Sequence, residues 1–329
     1  MAYINTILNI AQTKVGVANS MSSICKKCGH ENDSNSLFCR NCSSSLRQRT
    51  SYDISAEDFI FEGDRDTFEI LESTGLLYHI LNTTIIKPRL TNLIEKLLKG
   101  TKKLESDNKF RRLIEECADV LSLECLPEVR LGELGQKNAF TTGVDEQNII
   151  IIDKALAYAL SYDEMRSLLG HEMGHIKSRH LMYHSIAEIL ERGIEFSSSL
   201  IGMSVISIPM RLALKAWHRE SEFSADRASL IVANDLKSIA SMFIKLIDDQ
   251  MSATSNLNSL FEILSTHPTH HNRIKELKDF EDSIEFADIK KKLELRNILG
   301  RAFIRNCRFC GSQKSIDEVF CPNCGRSLA

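Results

Sequence analysis

Residues 161–179 read SYDEMRSLLGHEMGHIKSR, and the rest of the chain is understood outward from them. The stretch predicts one helix. Ser161 followed by Glu164 is a capping box, Asp163 puts negative charge in the first turn, and Lys177 and Arg179 lie near the C-terminal end, where the helix dipole favours cations. Met165, Leu168, Leu169 and Met173 give it an apolar side. His171, Glu172 and His175 on it have the spacing H-E-x-x-H. Residues four apart on a helix lie roughly 5–6 Å apart at Cβ, so both imidazoles can converge on one small cation. Glu172 then stands beside the metal without having to bind it. Hydrolysis by a metal-activated water needs that geometry: the metal lowers the pKa of water to about 7 and a neighbouring carboxylate takes its proton.

The motif alone does not decide the matter, because it arises by accident in roughly one chain in a hundred of this size. Two histidines on an apolar helix are also compatible with satisfied core groups. A catalytic zinc needs a third protein ligand, with the fourth position kept for water. Downstream, Glu220-Ser-Glu222-Phe-Ser-Ala-Asp226 is a helical stretch on which Glu222 and Asp226, four apart, share a face. That spacing lets Glu222 bind metal while Asp226 holds the free ring nitrogen of a liganding histidine. A solvated helix face carries E-x-x-x-D just as readily.

With 329 residues there is room for one large domain or two, plus small modules. Hydrophobic residues at 43% and charged residues at 26% are ordinary for a soluble globular protein, and a net charge of -3 gives no global basic field to attract nucleic acid. No run reaches the roughly 18 uncharged apolar residues of a membrane span. Phe196 to Met210, FSSSLIGMSVISIPM, comes nearest, but it is short, serine-rich and contains Pro209, so it reads as a buried helix or hairpin.

Eight of the ten cysteines fall in four C-x2-C pairs. Cys25 and Cys28 precede Cys39 and Cys42, and Cys307 and Cys310 precede Cys321 and Cys324, each time with ten residues between the pairs. Phe38-Cys39-Arg40-Asn41-Cys42 with Leu46 matches Phe320-Cys321-Pro322-Asn323-Cys324 with Leu328, an internal repeat with one copy near each end. Two C-x2-C knuckles bring four thiolates to a tetrahedral site, and a module of roughly 20 residues holds no fold without such a staple, so each reads as a short structural zinc ribbon. This usage, with no basic-then-apolar leader, places the chain in a reducing compartment, the cytoplasm by default. The ribbons' charges are modest and lack interleaved aromatics, which favours protein contact over nucleic acid.

The remaining organisation follows from pattern. Residues 1–24 suggest an amphipathic helix, docked on the protein's own core or peripherally on a membrane surface. Residues 25–46 are the first ribbon, and 47–75 an acid-rich linker with short helices. A main domain over 76–285 has a helical break at Pro88, a clear helix from Phe110 to Leu123, and three short strands at Val129–Leu131, Ala139–Thr142 and Ile149–Ile152. Helices follow from residue 154 on. Residues 286–306 form a helical linker and 307–329 the second ribbon. Strands followed by helices give a mostly helical α+β fold with a small sheet.

Taken together, Asn138-Ala139-Phe140, HEMGH at 171–175, Glu222-Phe-Ser-Ala-Asp226 and Thr266-His267-Pro268 followed by Arg273-Ile274 resemble the HtpX and CAAX-prenyl-endopeptidase group of gluzincin metallopeptidases. All four occur in that group's order, and the resemblance covers about residues 76–280. It implies a zincin-like domain, with His171, His175 and Glu222 as zinc ligands, Glu172 as general base and Asp226 beside a ligand. It further implies that Asn138, Ala139 and Phe140 are an edge strand accepting substrate backbone, and that His267 approaches the reacting centre, where it suits donating to an oxyanion. Arg273 would anchor that last segment. HtpX-like relatives carry membrane spans, whereas Phe196 to Met210 is too short and polar for one.

The expectation is therefore a zinc endopeptidase acting on extended or unfolded protein, with one catalytic and two structural zinc ions. The alternative is a scaffold or regulator in which the ribbons bind protein or nucleic acid and the centre is silent. A third reading has the ribbons or the acidic stretch cover the cleft until a partner displaces them.

Overall fold

The computed structural model describes residues 22–33, 36–73, 92, 95, 98–104, 108–134, 138–144, 147–179, 181, 208–253, 270–302, 304–306, 313–315 and 326. The expected N-terminal helix through residue 21, Pro88, the segment from Phe196 to Ser207, His267 and the cysteines at 307, 310, 321 and 324 lie outside the described residues. The chain divides into two compact units, one of residues 54–290 and one of residues 1–53 with 291–329.

In the smaller unit, β1 (Ser22–Ile24) pairs antiparallel with β2 (Glu31–Asp33), Ser23 opposite Asn32. The turn between them is closed by Gly29 N–H donating to the Cys25 carbonyl, and Gly29 adopts φ +74°, the left-handed region that glycine enters without steric cost. Phe38 bridges Ser45 and is fully buried, together with Cys25 and Cys39.

The larger unit contains the four-stranded sheet. Its strands are β3 (Lys102–Lys103), β4 (Glu128–Gly132), β5 (Ala139–Val144) and β6 (Gln147–Asp153), in the order β3-β4-β6-β5. β4 runs parallel to β6; β3 and β5 pair antiparallel with β4 and β6. Ile149, Ile150, Ile151 and Ile152 are all buried, as befits an inner strand covered on both faces. β5 is an edge, paired among the described residues with β6 alone. Its register is Thr141 opposite Ile150, and the Asp153 N–H donates to the Asn138 carbonyl at 2.8 Å. Because inward pairing alternates along an antiparallel ladder, Phe140 and Thr142 turn their backbone groups toward β6 and Ala139, Thr141 and Gly143 turn theirs outward.

The helices of this unit begin with α1 (Glu62–Ser73) and α2 (Asn108–Val120). The Asp153 carboxylate, closing β6, accepts from Ala155 and Leu156 N–H and so caps α3 (Lys154–Ala159). Ser161 and Glu164 form the expected reciprocal box at the start of α4 (Tyr162–Lys177), which is buried continuously from Ser167 to Ile176. α5 (Ile208–Ala233) carries Pro209 in its first turn, where its missing N–H costs nothing. α6 (Leu236–Ala253) and α7 (His270–Glu281) follow. α4 and α5 cross at two glycines: a Cβ on Gly174 would lie 2.7 Å from Ala228 Cβ and 3.0 Å from Ala225 Cα, and one on Gly170 would lie 3.0 Å from Ser229 Cα. Two backbones thus pack almost directly, which brings the residues on facing sides of the two helices within reach of one another.

Two boundaries differ from expectation. The acid-rich stretch is not a linker from residue 54 on: Ile54, Phe59, Asp64 and Leu71 are buried, and α1 packs on α5, with the Phe61 ring 5.0 Å from Phe223 and Phe68 6.0 Å from Trp217. Glu57, Glu62, Asp66 and Glu69 do lie on the solvent side. Residues 286–306 belong mainly to one helix, α8 (Ile284–Ala302), before the short hairpin of β7 (Ile304–Asn306) and β8 (Gln313–Ser315). Among the described residues no helix is long and apolar enough to cross a membrane.

Candidate metal centre

α4 presents His171 and His175 one turn apart, their rings 4.9 Å apart and edge to face, both side chains almost fully buried. α5 supplies Glu222 opposite them. His171 Nε2 lies 3.5 Å from Glu222 Oε2, and His175 Nε2 lies 3.4 Å from Glu222 Oε1. A tetrahedron drawn with bonds of about 2.0–2.1 Å, the lengths zinc makes to nitrogen and oxygen, has edges of about 3.3–3.4 Å. The three donors therefore stand where three ligands of one small divalent cation would stand, and they form a possible metal site.

The surroundings orient and charge this set. His171 Nδ1 donates to Asp226 Oδ1 at 2.9 Å, which turns Nε2 toward Glu222. Asp226 sits one turn beyond Glu222 on the same face of α5, entirely buried. Arg273 of α7 grips it with two bonds, Nε to Oδ2 at 2.6 Å and Nη2 to Oδ1 at 2.5 Å, and reaches Glu222 with Nη1 at 3.4 Å. The Arg273 guanidinium also lies 4.3 Å from the Phe243 ring centroid. Burial opposes charge on Asp226, but Arg273 outweighs it and holds the carboxyl below the usual carboxylate range. Burial likewise opposes a proton on His171, yet hydrogen bonds to Asp226 and Glu222 raise it to about 10. Three carboxylates, Asp226, Glu222 and Glu172, share the single guanidinium of Arg273. Among the described residues these three carboxylates outnumber the cations beside them, Arg273 and a protonated His171, and a divalent cation at the spot the three donors face would add positive charge there.

Glu172 is buried beside the two histidines. Its carboxylate accepts a hydrogen bond from the hydroxyl of Thr141 on the edge strand, and the same hydroxyl lies 3.3 Å from the Glu172 carbonyl oxygen.

Residues 105–281, more than half of the chain, match the sequence model described as Peptidase family M48. The chain belongs to this family. It is therefore a metallopeptidase of family M48, whose members use zinc. A plastoglobule-localized metallopeptidase 48 of the Arabidopsis thaliana chloroplast is 30% identical over 163 residues, 48% of this chain and 46% of that protein. The chain thus matches about half the length of this plant relative. HtpX homologues are matched over more of their length: that of Helicobacter pylori is 24% identical, covering 64% of this chain and 82% of its own, and that of Syntrophobacter fumaroxidans is 28% identical, covering 51% and 74%. The crystal structure of S. mikatae Ste24p has a TM-score of 0.40 at 18% identity, over 64% of this chain and 58% of that one.

Within the M48 domain, the structure brings His171, Glu172, His175, Glu222, Asp226 and Arg273 to one place. Arg273, expected to anchor its segment, touches Asp226 and Glu222 directly. Asn138 precedes the edge strand and its Oδ1 accepts from the Ala139 N–H at 2.8 Å; Ala139 and Phe140 begin the strand itself. Two contacts had no sequence signal. Thr141 reaches Glu172 from a separate element, and Ser224, between Glu222 and Asp226, is bound from the far side of α5 by Asp64.

In the smaller unit, Cys25, Cys28, Cys39 and Cys42 gather their four sulfurs as a second possible metal site, all as free thiols. Cys25 Sγ lies 3.6 Å from Cys42 Sγ, and Cys28 Sγ 3.6 Å from Cys39 Sγ. Four sulfurs around a zinc at about 2.3 Å would be about 3.8 Å apart. Asn32, buried, donates to Cys39 Sγ and to the His30 carbonyl and accepts from Arg40 N–H, which ties both knuckles to β2.

Proposed function

We propose that this chain is a zinc-dependent endopeptidase that cuts extended or unfolded protein segments. The observation that carries the reading is the position of β5: an edge strand whose outward-facing residue, Thr141, also touches the Glu172 side chain between the two histidines. A substrate segment lying along β5 would add a strand to the sheet, with the outward backbone groups of Thr141 and Gly143 and the Ala139 carbonyl as its partners. Only a segment with unpaired backbone can do this, so folded regions are excluded.

When bound, zinc supplies a Lewis acid that polarises the scissile carbonyl and lowers the pKa of water to about 7. His171, His175 and Glu222 would hold it. Asp226 keeps His171 in the tautomer whose Nε2 lone pair faces the centre, and Arg273 keeps Asp226 charged. Glu172 accepts the proton of the attacking water and returns it to the leaving amine, a step in which positioned general acid–base groups contribute about 10²–10⁴-fold.

Glu172→Gln, tested on a disordered polypeptide, should abolish cleavage while zinc at the centre is retained. Full activity in that folded, zinc-loaded variant would overturn the assignment. Zinc at the Cys25, Cys28, Cys39 and Cys42 cluster belongs to the same proposal as a structural ion.

A further inference from the structure

α1 lies outside the stretch matched to the M48 family, yet it makes a fully buried polar contact with the helix that carries Glu222. Ser224 is two residues from both Glu222 and Asp226, so on a helix it points away from the face those two share. There it meets α1. The Ser224 hydroxyl donates to Asp64 Oδ2 at 2.5 Å and accepts from the Phe61 backbone N–H at 2.9 Å. Asp64 and Ser224 are both entirely excluded from solvent. Asp64 stands in the first turn of α1, where the helix dipole favours a carboxylate. Around this contact Phe61 packs on Phe223, and Arg227 lies 5.1 Å from the Phe61 centroid.

We propose that Asp64 is a positioning residue of the metal centre, fixing through the Ser224 hydroxyl the turn of α5 from which Glu222 and Asp226 project. The proposal rests on the zinc reading of that centre. On the α4 side, α5 is held by close contact at Gly170 and Gly174, by the Ser229 hydroxyl donating to the Ser167 carbonyl at 2.7 Å and by Arg166 Nε donating to the Val232 carbonyl at 2.8 Å, both bonds falling beyond Asp226 toward the C-terminal end of α5. At the turn that carries Glu222 and Asp226, His171 and Arg273 hold the metal face and Asp64 the opposite face. A rotation of α5 by a few degrees would move the Glu222 carboxylate relative to both imidazoles, and the Asp64–Ser224–Phe61 set opposes it because a buried hydroxyl turned away from its partners would leave polar groups unsatisfied.

The test uses the full chain with cobalt(II) in place of zinc, since cobalt absorption separates a two-histidine, one-carboxylate centre from a four-thiolate one. Affinity at the centre is read by chelator competition in wild type, Ser224→Ala, Asp64→Ala, Asp64→Asn and the double variant D64A/S224A. Partners that orient metal ligands alter affinity by about 10–100-fold; at this remove about a tenfold loss is expected in D64A and S224A. The double variant should be no weaker than the worse single one, and D64N, which keeps an acceptor, should stay near wild type. A merely structural role predicts instead that metal-free and metal-loaded proteins lose melting temperature equally while affinity stays within twofold of wild type, and that result overturns the proposal. If D64A fails to fold, S224A alone decides. Absence of the two-histidine band in wild type would overturn the zinc reading itself, and this inference with it.

Discussion

The Thr141 hydroxyl on β5 donates a hydrogen bond to the Glu172 carboxylate on α4. One residue thereby touches both parts of the proposed reaction, its backbone facing the outer side of the edge strand and its side chain fixing the base. Replacing Thr141 with Val keeps the shape and deletes the donor, so Glu172 keeps its location and loses an orienting bond. A fall of about tenfold in kcat is expected, within the range that a positioned acid–base group contributes, with KM changed less. Thr141→Ser should recover most of the loss. Steady-state kinetics on a disordered substrate separate the two parameters, and an unchanged kcat in T141V would show that the bond has no catalytic weight.

Gly174 inside the HEMGH stretch is explained by what faces it. An alanine there gains helix propensity of about 1 kcal/mol, but its Cβ would lie 2.7 Å from Ala228 Cβ and 3.0 Å from Ala225 Cα. Overpacking of this kind costs about 1–3 kcal/mol, and separation of the helices would pull Glu222 away from His175. Gly174→Ala should therefore lower both melting temperature and zinc affinity. Ala228→Gly removes the nearer clash but not the backbone one, so the double variant should be partly restored. A double-mutant cycle in denaturant measures the coupling, and simple additivity would contradict direct contact.

How much of this was legible follows from the range of each interaction. The α4 helix and its Ser161–Glu164 box are local, and the sequence pattern placed them within two residues. β4, β5 and β6 were legible from β-branched and alternating runs, and the Glu222–Asp226 pair from its spacing of four. β3 has two residues and no periodicity to detect. The acidic stretch misled because composition averages over a helix: Glu57, Glu62, Asp66 and Glu69 are exposed, while Asp64 is buried against Ser224, 160 residues away. Thr141 and Gly174 acquire their meaning only from elements packed against them.

Arg273 neutralises two buried carboxylates at once, Asp226 and Glu222. Arg273→Met fills much of the volume and leaves both charges behind; removing one partner of a buried pair costs about 3–5 kcal/mol. Zinc would replace part of the missing charge, so the destabilisation should be larger in chelator than with zinc present. Arg273→Lys keeps the charge but not the two-pronged grip on Asp226, and should fall between. Melting curves of all three proteins with and without chelator check this, and an equal loss in both conditions would count against a cation at the centre.

Metal content separates the sites. Three zinc ions per chain are expected from elemental analysis, one at the His171–His175–Glu222 centre and one at each cysteine cluster. Cys39→Ser should remove one ion and leave cleavage of a disordered polypeptide measurable, whereas His175→Ala should remove a different one and abolish cleavage. Two ions in wild type, both lost on cysteine substitution, would empty the proposed centre.

The start of α4 carries a charge whose effect on stability has a definite sign. Glu164 accepts from Ser161 N–H at 2.6 Å, from Ser241 Oγ at 2.5 Å and from Lys245 Nζ at 2.6 Å, so α6 is tied to the first turn of the metal-bearing helix. Burial resists the charge, but Lys245 and the two serines overcome it and lower the carboxyl from 4.5 to about 2. A depressed folded-state pKa means that the unfolded chain takes up the proton first. The stabilisation is thus fully present above about pH 5, shrinks as pH falls through the window between the unfolded value and about 2, and is gone below it. Solvent screening of Lys245, which is partly exposed, limits the contribution to about 1–2 kcal/mol, or roughly 2–8 °C of melting temperature for a domain of this size. Glu164→Gln keeps a capping side chain and removes the charge, so it should melt lower than wild type at pH 7 and converge with it near pH 2. Both proteins are compared in chelator, so that acid release of zinc does not enter the difference. A gap that stays constant from pH 7 to pH 2 would mean that Glu164 acts through shape and hydrogen bonding alone.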